Sequence, residues 1–336
     1  MIVISQYVSN LLNAGPKAKI DVEKILKEKY DSNIYTLKLT GKEDKNIINK
    51  FIYRLRKALF SFKYLQSDDI TVIQVPFIND IRFTKKIKHK VAFIHDIEGI
   101  RKNNDKIATR EINFLATCEF IIVHNNRMKE YLIEKGIDEK KIYILELFDY
   151  LCINNKKHHK IFDEKQIEVV YTGNLDKAPF LQEIEANKMN FVMNVYGVKN
   201  NEKIENDKIK YMGKYLPDEL PQEINGDFGL VWDGNYDESD ENKGFKNYTK
   251  YNNPHKLSCY IAAGLPVIVW KKAAVAEFVK KYNIGYTISN IYYINKINFK
   301  DYMIKKENAE KLSIKVKSGY FTQKVMNEIL ESLIKK

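Results

Sequence analysis

The sequence predicts an α/β protein built as two parallel-sheet domains in series. Three observations carry that prediction. Short, continuously apolar runs such as MIVI (1–4), VAFI (91–94) and VIV (267–269) alternate with longer stretches of helical spacing. Runs of this kind are parallel strands covered by helices on both faces. The alternation lapses once, in the polar stretch INNKKHHKIFDEKQ (153–166), and then resumes. Finally, 336 residues are about two domains' worth of chain.

In the first half, strands are expected at 1–4, 34–39, 70–75, 91–95, 120–124 and 142–145. The segment NAGPKAK (13–19) reads as a loop around Gly15 and Pro16, leading into a helix over 20–30. Further helices fit at 46–65, 79–87, 105–117 and 127–135. In the second half, strands at 168–171, 191–196 and 209–212 each run into glycine: Gly173 before Asn174, Gly197, and Gly213. Strands at 227–232, 266–269 and 285–288 follow, with a helix at 273–282. The tail from Lys300 onward has helical spacing, with Phe321, Val325, Ile329 and Leu333 on one face. The resulting division is an N-terminal domain at 1–150, a linker at 151–166 and a C-terminal domain at 167–315. A last helix at 316–336 is expected to pack back on the N-terminal domain. Open parallel sheets take ligands at the carboxyl ends of their strands, so two Rossmann-like domains facing a cleft are the predicted architecture.

The stretch 226–269 concentrates the chemistry. After the strand comes a polar loop from Asp233 to Asn253, then a short helix and a second buried strand. Asn253 suits an N-cap and Pro254 the first helical position. Gly264 suits a left-handed helix end. Leu257, Tyr260 and Ile261 form the apolar face, and the first turn carries His255 and Lys256 on the other side. A cation there opposes the helix dipole. It makes sense where an anion binds, because free backbone N–H groups and a lysine together hold a phosphate. A solvated surface lysine is the plain alternative.

Composition narrows the class. The net charge is +12, which suits an acidic partner, although Lys-, Asn-, Ile- and Tyr-rich sequences also arise from AT-rich coding. Three well-separated cysteines, Cys118, Cys152 and Cys259, point to free thiols in a reducing cytoplasm. No segment approaches the roughly 20 apolar residues needed to span a bilayer. There is no GxGxxG, and Asn235 stands where a phosphate-loop lysine would follow Gly229 and Gly234. No metal spacing is present: His158 and His159 adjoin each other in the linker, and no metal ligand set is expected. No nucleic-acid module occurs either, so nucleic acid is excluded as partner.

Further candidates each have an ordinary reading beside the chemical one. Asp237, Glu238, Asp240 and Glu241 resemble a metal-binding acidic run, but read better as a solvated loop serving as a lid. His95 and Asp96 end a buried strand, where either can take a proton from a hydroxyl nucleophile; a capping Asp96 and a core His95 are the alternative. Lys17 and Lys19 lie in the first strand–helix loop, where they meet phosphate or acceptor, or only water. On the helix 46–65, Phe51, Tyr53 and Phe60 lie outside the apolar stripe among Lys50, Arg54, Arg56, Lys57 and Lys63. That mixture suits an anionic membrane surface as well as plain sheet packing.

The chain resembles bacterial cell-surface polysaccharide glycosyltransferases of the two-Rossmann (GT-B) type. O-antigen β-1,6-galactofuranosyltransferases are the nearest resemblance, with streptococcal adhesin glucosyltransferases more distant. The segments that carry it are NAGPKAK (13–19), HDIEGIR (95–101), LATCEFIIVHN (115–125), LFDYL (147–151), YTGNL (171–175), FGLVWDG (228–234) and YNNPHKLSCYIAAGLPVIVW (251–270). The resemblance implies a UDP-sugar as donor substrate, with no cofactor, and a glycan acceptor carried on a lipid. It implies that Gly173, Asn174, Lys177, Asp233, Gly234 and Tyr251 line the donor site, and that Asn253, His255 and Lys256 hold the diphosphate. His95 and Asp96 stand on the acceptor side with Gly15, Lys17 and Lys19. Where the streptococcal relatives place an arginine after the Gly-Asn turn, this chain has Asp176-Lys177. A cytoplasmic enzyme, peripheral on the inner membrane face and capable of homo-oligomerising, is the expectation. Two alternatives stay open: glucosyl transfer to protein-linked GlcNAc, and a UDP-sugar 2-epimerase, which would need no acceptor.

Overall fold

A computed structural model describes residues 1–8, 16–39, 69–76, 84, 87–152, 162–175, 178–198 and 204–335. These form two compact units, each described by itself. The first holds Met1–Val123, Lys129–Leu145 and Gln323–Lys336; the second holds His124–Met128 and Glu146–Thr322.

In chain order the first half runs β1 (Ile2–Val8), α1 (Lys17–Tyr30), β2 (Asn33–Leu39), β3 (Thr71–Val75), β4 (Lys90–Ile94), α2 (Glu98–Arg101), α3 (Asp105–Ala116), β5 (Phe120–Val123), α4 (Asn126–Glu134) and β6 (Ile142–Ile144). The six strands form one sheet in the order β2-β1-β3-β4-β5-β6, and every pairing is parallel. β3, β4 and β5 are buried at every position, as their unbroken apolar runs require.

The second half runs β7 (Ile167–Asn174), α5 (Phe180–Glu183), β8 (Phe191–Val198), β9 (Ile209–Tyr211), α6 (Leu220–Glu223), β10 (Phe228–Val231), α7 (Gly244–Tyr248), α8 (His255–Ala262), β11 (Val267–Trp270), α9 (Val275–Lys281), β12 (Gly285–Ile288), α10 (Tyr302–Lys317) and α11 (Tyr320–Ile334). Its sheet is again six-stranded, in the order β12-β11-β10-β7-β8-β9, and wholly parallel. The predicted α/β class with two parallel sheets is the observed one. In such a sheet the ligand crevice lies where the strand order reverses. That point falls between β1 and β3 in the first sheet and between β7 and β10 in the second.

Several local expectations change. The first helix begins at Lys17, so the end of NAGPKAK is helical rather than loop. The helical tail is two helices, parted at Gly319 where φ is +78°. Phe321, Val325 and Ile329 are buried as their spacing predicts. In the expected linker, Phe162 stacks on Tyr302 with ring centroids 3.8 Å apart, and so belongs to the second core. The helix expected at 46–65, its basic and aromatic face, and the histidine pair at 158–159 lie outside the described residues. So does all of the 79–87 helix except Thr84 and Ile87. Among the described residues no helix is long and apolar enough to cross a membrane.

Candidate active site

The second unit places its charged chemistry over the β7/β10 reversal. α8 packs onto the sheet through Tyr260, whose ring lies against Gly229 of β10. A Cβ at Gly229 would fall 2.2 Å from that ring, so only glycine admits the contact. The Tyr260 hydroxyl accepts from the Thr172 backbone N–H (2.8 Å) and donates to Leu230 O (3.2 Å), tying the helix to both β7 and β10. The far end of α8 closes as the sequence predicts. Gly264 has φ +71°, and the Gly264 and Leu265 N–H groups donate to Ile261 O and Tyr260 O, a Schellman ending.

The near end differs from expectation. Asn253 is not the N-cap: Pro254 is, and no side chain caps the helix. Asn253 is buried instead, its amide donating to His124 O (3.1 Å) and Glu146 O (2.7 Å) and accepting from Asn125 Nδ2 (2.7 Å). Its backbone N–H donates to His124 Nδ1 at 3.0 Å. Three hydrogen bonds to this buried side chain outcompete one exposed cap, since an unmet buried amide costs about 1–3 kcal/mol. The first turn of α8 carries no acidic residue, leaving its positive dipole end unneutralised from within the helix. His255 stacks on Tyr150 (4.8 Å) and meets Phe148 edge-on (6.0 Å).

Lys256 reaches back over the strand ends. Its Nζ donates to Asp233 Oδ1 (2.9 Å), Trp232 O (3.0 Å) and Tyr171 Oη (3.2 Å), and sits 4.6 Å from the Tyr171 ring centre. The cation that opposes the helix dipole thus has a counter-ion. Burial pulls its pKa down, but Asp233 in contact outweighs this and the pKa is raised, so the charge is permanent. Burial raises the Tyr171 hydroxyl, against the pull of Lys256.

Gly173 and Asn174 are exposed at the end of β7. Gly173 has φ +143° and its neighbour in register, Gly197, has φ +140°. A Cβ on Gly197 would meet Gly173 O at 1.8 Å, so the two strand tips close up only as glycines. Gly234 follows Asp233 with φ +81°. Tyr251 contributes its carbonyl, which accepts from Asn125 Nδ2 (2.9 Å). Lys177 lies outside the described residues.

The acidic loop is not simply solvated. Glu238 accepts from Trp270 Nε1 (2.9 Å) and Asp240 from the Asn235 N–H (3.0 Å), while Glu241 pairs with Lys272. Lys246 is buried beneath it, 3.7 Å from the Trp232 ring and 5.0 Å from that of Trp270, donating to Asn235 O. The two tryptophans and this lysine pin the loop to the ends of β10 and β11.

In the first unit, His95 and Asp96 follow β4 directly. His95 Nε2 lies 2.6 Å from Gln74 Oε1, and its ring stacks on Phe93 (5.3 Å). Asp96 Oδ2 pairs with Arg101 Nη1 at 2.9 Å. Lys17 and Lys19 are not in a loop but in the first turn of α1, and both are buried. Lys17 pairs with Asp21 (2.6 Å). Lys19 donates to Gln6 O (2.9 Å) and Pro76 O (3.0 Å), bridging the ends of β1 and β3. Helical geometry with a nearby carboxylate or carbonyls to satisfy each ammonium explains why these lysines turn inward. Burial lowers the Lys19 pKa to about 8, against the attraction of Asp96, Glu23 and Glu98. Gly15 lies outside the described residues.

Sequence reasoning gave Tyr260 only a place on the apolar helix face, and assigned no role to Tyr171, His124, Asn125, Glu146, Phe148, Tyr150 or Gln74. His124, Asn125, Phe148 and Tyr150 lie within the segments LATCEFIIVHN and LFDYL. Their place in those segments was the available signal; their convergence on 253–255 is seen only in the structure.

Comparison with known proteins agrees with this fold. Residues 1–147 match the glucosyltransferase 3-like N-terminal domain and residues 169–329 the glucosyltransferase 3-like C-terminal domain. The chain is 29% identical over 340 residues, 96% of each chain, to the β-1,6-galactofuranosyltransferase WbbI of Escherichia coli K12. It is 25% identical over 280 residues, 79% of each chain, to glucosyltransferase 3 of Streptococcus parasanguinis. Among solved structures, the lipopolysaccharide outer core galactosyltransferase WaaB superposes with a TM-score of 0.62 at 14% identity, over 99% of this chain and 100% of that one. Anabaena HepE in complex with UDP-glucose superposes at 0.57 with 11% identity, over the full length of both chains. The fold is therefore that of the GT-B glycosyltransferases.

Proposed function

Because the chain belongs to the glucosyltransferase 3-like family of glycosyltransferases, we propose that it moves a hexosyl group from a UDP-sugar onto a sugar hydroxyl in cell-surface polysaccharide assembly. The observation that carries this reading is Lys256 at the N-terminus of α8, over the β7/β10 reversal. Transfer needs charge stabilisation on the departing nucleoside diphosphate. A permanently charged lysine and the uncapped first N–H groups of a helix supply it without a metal. Asp233 holds Lys256 in place until the diphosphate arrives. Asn253 acts indirectly, fixing the backbone from which His255 and Lys256 project. Gly173, Asn174 and Lys177 provide the donor loop after β7, with Gly234 and Tyr251 beside it. The acceptor side belongs to the first unit, where His95 or Asp96 takes the acceptor proton. Lys17 and Lys19 shape that side rather than touching the acceptor.

The preferred donor is UDP-galactofuranose, supported by identity to WbbI along 96% of both chains. The preferred acceptor is a lipid-linked glycan met at the inner membrane face. Similarity to the streptococcal glucosyltransferase favours a second reading, UDP-glucose with a protein-linked acceptor. A panel of UDP-sugars with glucoside acceptors and purified protein separates them. Product from UDP-galactofuranose alone is the expected result. Product only from UDP-pyranoses removes the galactofuranosyl assignment, and release of a changed free sugar without acceptor replaces transfer with epimerisation.

A further inference from the structure

The hydrogen-bond chain at the β1/β3 reversal fixes the protonation of His95. Gln74 is fully buried on β3. Its side-chain nitrogen lies 3.1 Å from Lys19 O and 2.5 Å from Ser5 Oγ. A backbone carbonyl only accepts, so the Gln74 atom facing Lys19 O is the amide NH2. The Gln74 carbonyl oxygen is then the atom turned to His95, 2.6 Å from Nε2. An amide oxygen also only accepts, so His95 Nε2 bears a proton. In neutral His95 the lone pair therefore lies on Nδ1, and that atom is buried. The ring cannot turn over without placing a C–H against the Gln74 oxygen, and its stacking on Phe93 opposes the motion.

We propose that Gln74 is a positioning residue that locks His95 as the Nε2–H tautomer and so withdraws it from proton abstraction, leaving the adjacent Asp96 carboxylate as the group that takes the acceptor proton. This deepens the transferase reading and rests on it for the role of Asp96. The balance is simple: the acceptor O–H bond breaks as its oxygen bonds the anomeric carbon, the proton goes to Asp96, and the sugar–phosphate bond releases its electron pair to UDP. Half-buried and paired with Arg101 through Oδ2, Asp96 remains within reach of solvent.

The test joins a spectrum to kinetics. Ring-15N-labelled histidine in the full chain, read by long-range 1H–15N correlation and assigned with His95→Gln, reports the tautomer directly. A predominant Nε2–H ring at pH 8 is the expected result, and a predominant Nδ1–H ring overturns the lock. Gln74→Met is expected to give a mixture of tautomers; an unchanged Nε2–H ring in that variant overturns the role of Gln74. Should it not fold, the native protein's spectrum still decides the tautomer. Asp96→Asn is expected to lower kcat by 100-fold or more with donor KM within threefold, and to lower it more than His95→Gln does. A greater loss in His95→Gln returns the base to the histidine. A protein inactive with every donor defeats the transferase reading, and with it the Asp96 assignment, while the lock still stands or falls on the spectrum.

Discussion

Each sheet carries a buried or half-buried lysine over its order reversal, and the two are used in opposite ways. Among the described residues Lys19 meets the carbonyls of Gln6 and Pro76 and no carboxylate in direct contact, so burial dominates and its pKa falls to about 8. Lys256 meets Asp233 at 2.9 Å, and its pKa is raised. Contact with one carboxylate separates the two outcomes, because desolvation disfavours a lone charge while a near opposite charge restores it. The first lysine is a pin between strand ends. The second is a permanent charge, which the proposed reading assigns to the donor diphosphate. Topology marks both places as ligand crevices, and the electrostatics supports the proposal that the second takes the phosphate.

The largest test of that contrast is to remove each head group. Lys256→Ala should lower kcat by ~10²–10³, the ~3–4 kcal/mol lost with one stabiliser of developing negative charge. It should also weaken UDP binding measured by calorimetry. Lys19→Met should leave UDP affinity within twofold while lowering the melting temperature, because two buried carbonyls lose their donor. Equal weakening of UDP by both variants would break the comparison.

A second test asks whether the donor crevice depends on α8 being seated against the sheet. Gly229→Ala puts a methyl group 2.2 Å from the Tyr260 ring. Overpacking of this kind costs about 3 kcal/mol at the upper end. Chemical denaturation should show that loss, with UDP affinity falling as the start of α8 shifts. An alanine variant of full stability would show that the helix is free to move outward, and would remove the rigid seating of Lys256.

How far the sequence leads follows from the kind of signal. Strand positions were legible because buried parallel strands are continuous apolar runs, and Gly264 because a helix end needs its left-handed backbone. The start of α8 was half legible. Residue types at 253–256 marked a helix start beside a cation, but local rules assign Asn253 to the cap, whereas partners at 124, 125 and 146 bury it. Lys17 and Lys19 read as loop residues open to phosphate, acceptor or water because buried lysines are rare, and the groups that satisfy Lys19 lie on β1 and after β3. The acidic loop read as a solvated lid because the tryptophan and lysine that hold it, Trp270 and Lys272, lie about thirty residues further along. Gln74 carried no signal, since a polar residue inside an apolar run looks like an imperfection until His95 is seen across from it.

The smallest effect is a pH dependence, and its sign follows from the lysines. Lys19 titrates near 8 in the folded chain against 10.5 ordinarily. Between those values the unfolded chain holds a proton the folded chain has released, so stability rises with pH across the window. Below about pH 8 both states are protonated and the penalty is fully present. Lys246, lowered to about 8 by burial against its acidic neighbours, acts the same way in the second unit. Lys256 acts oppositely: its raised pKa leaves its contribution intact through this window and lost only above it. From pH 7.5 to 9.5 each lowered lysine should add at most about 2 kcal/mol. The melting temperature should therefore rise over that range, less steeply in Lys19→Met and less steeply in Lys246→Met. If Lys19→Met melts with an unchanged slope, Lys19 is an ordinary cation at neutral pH, and the distinction between pin and anion receptor loses its electrostatic basis.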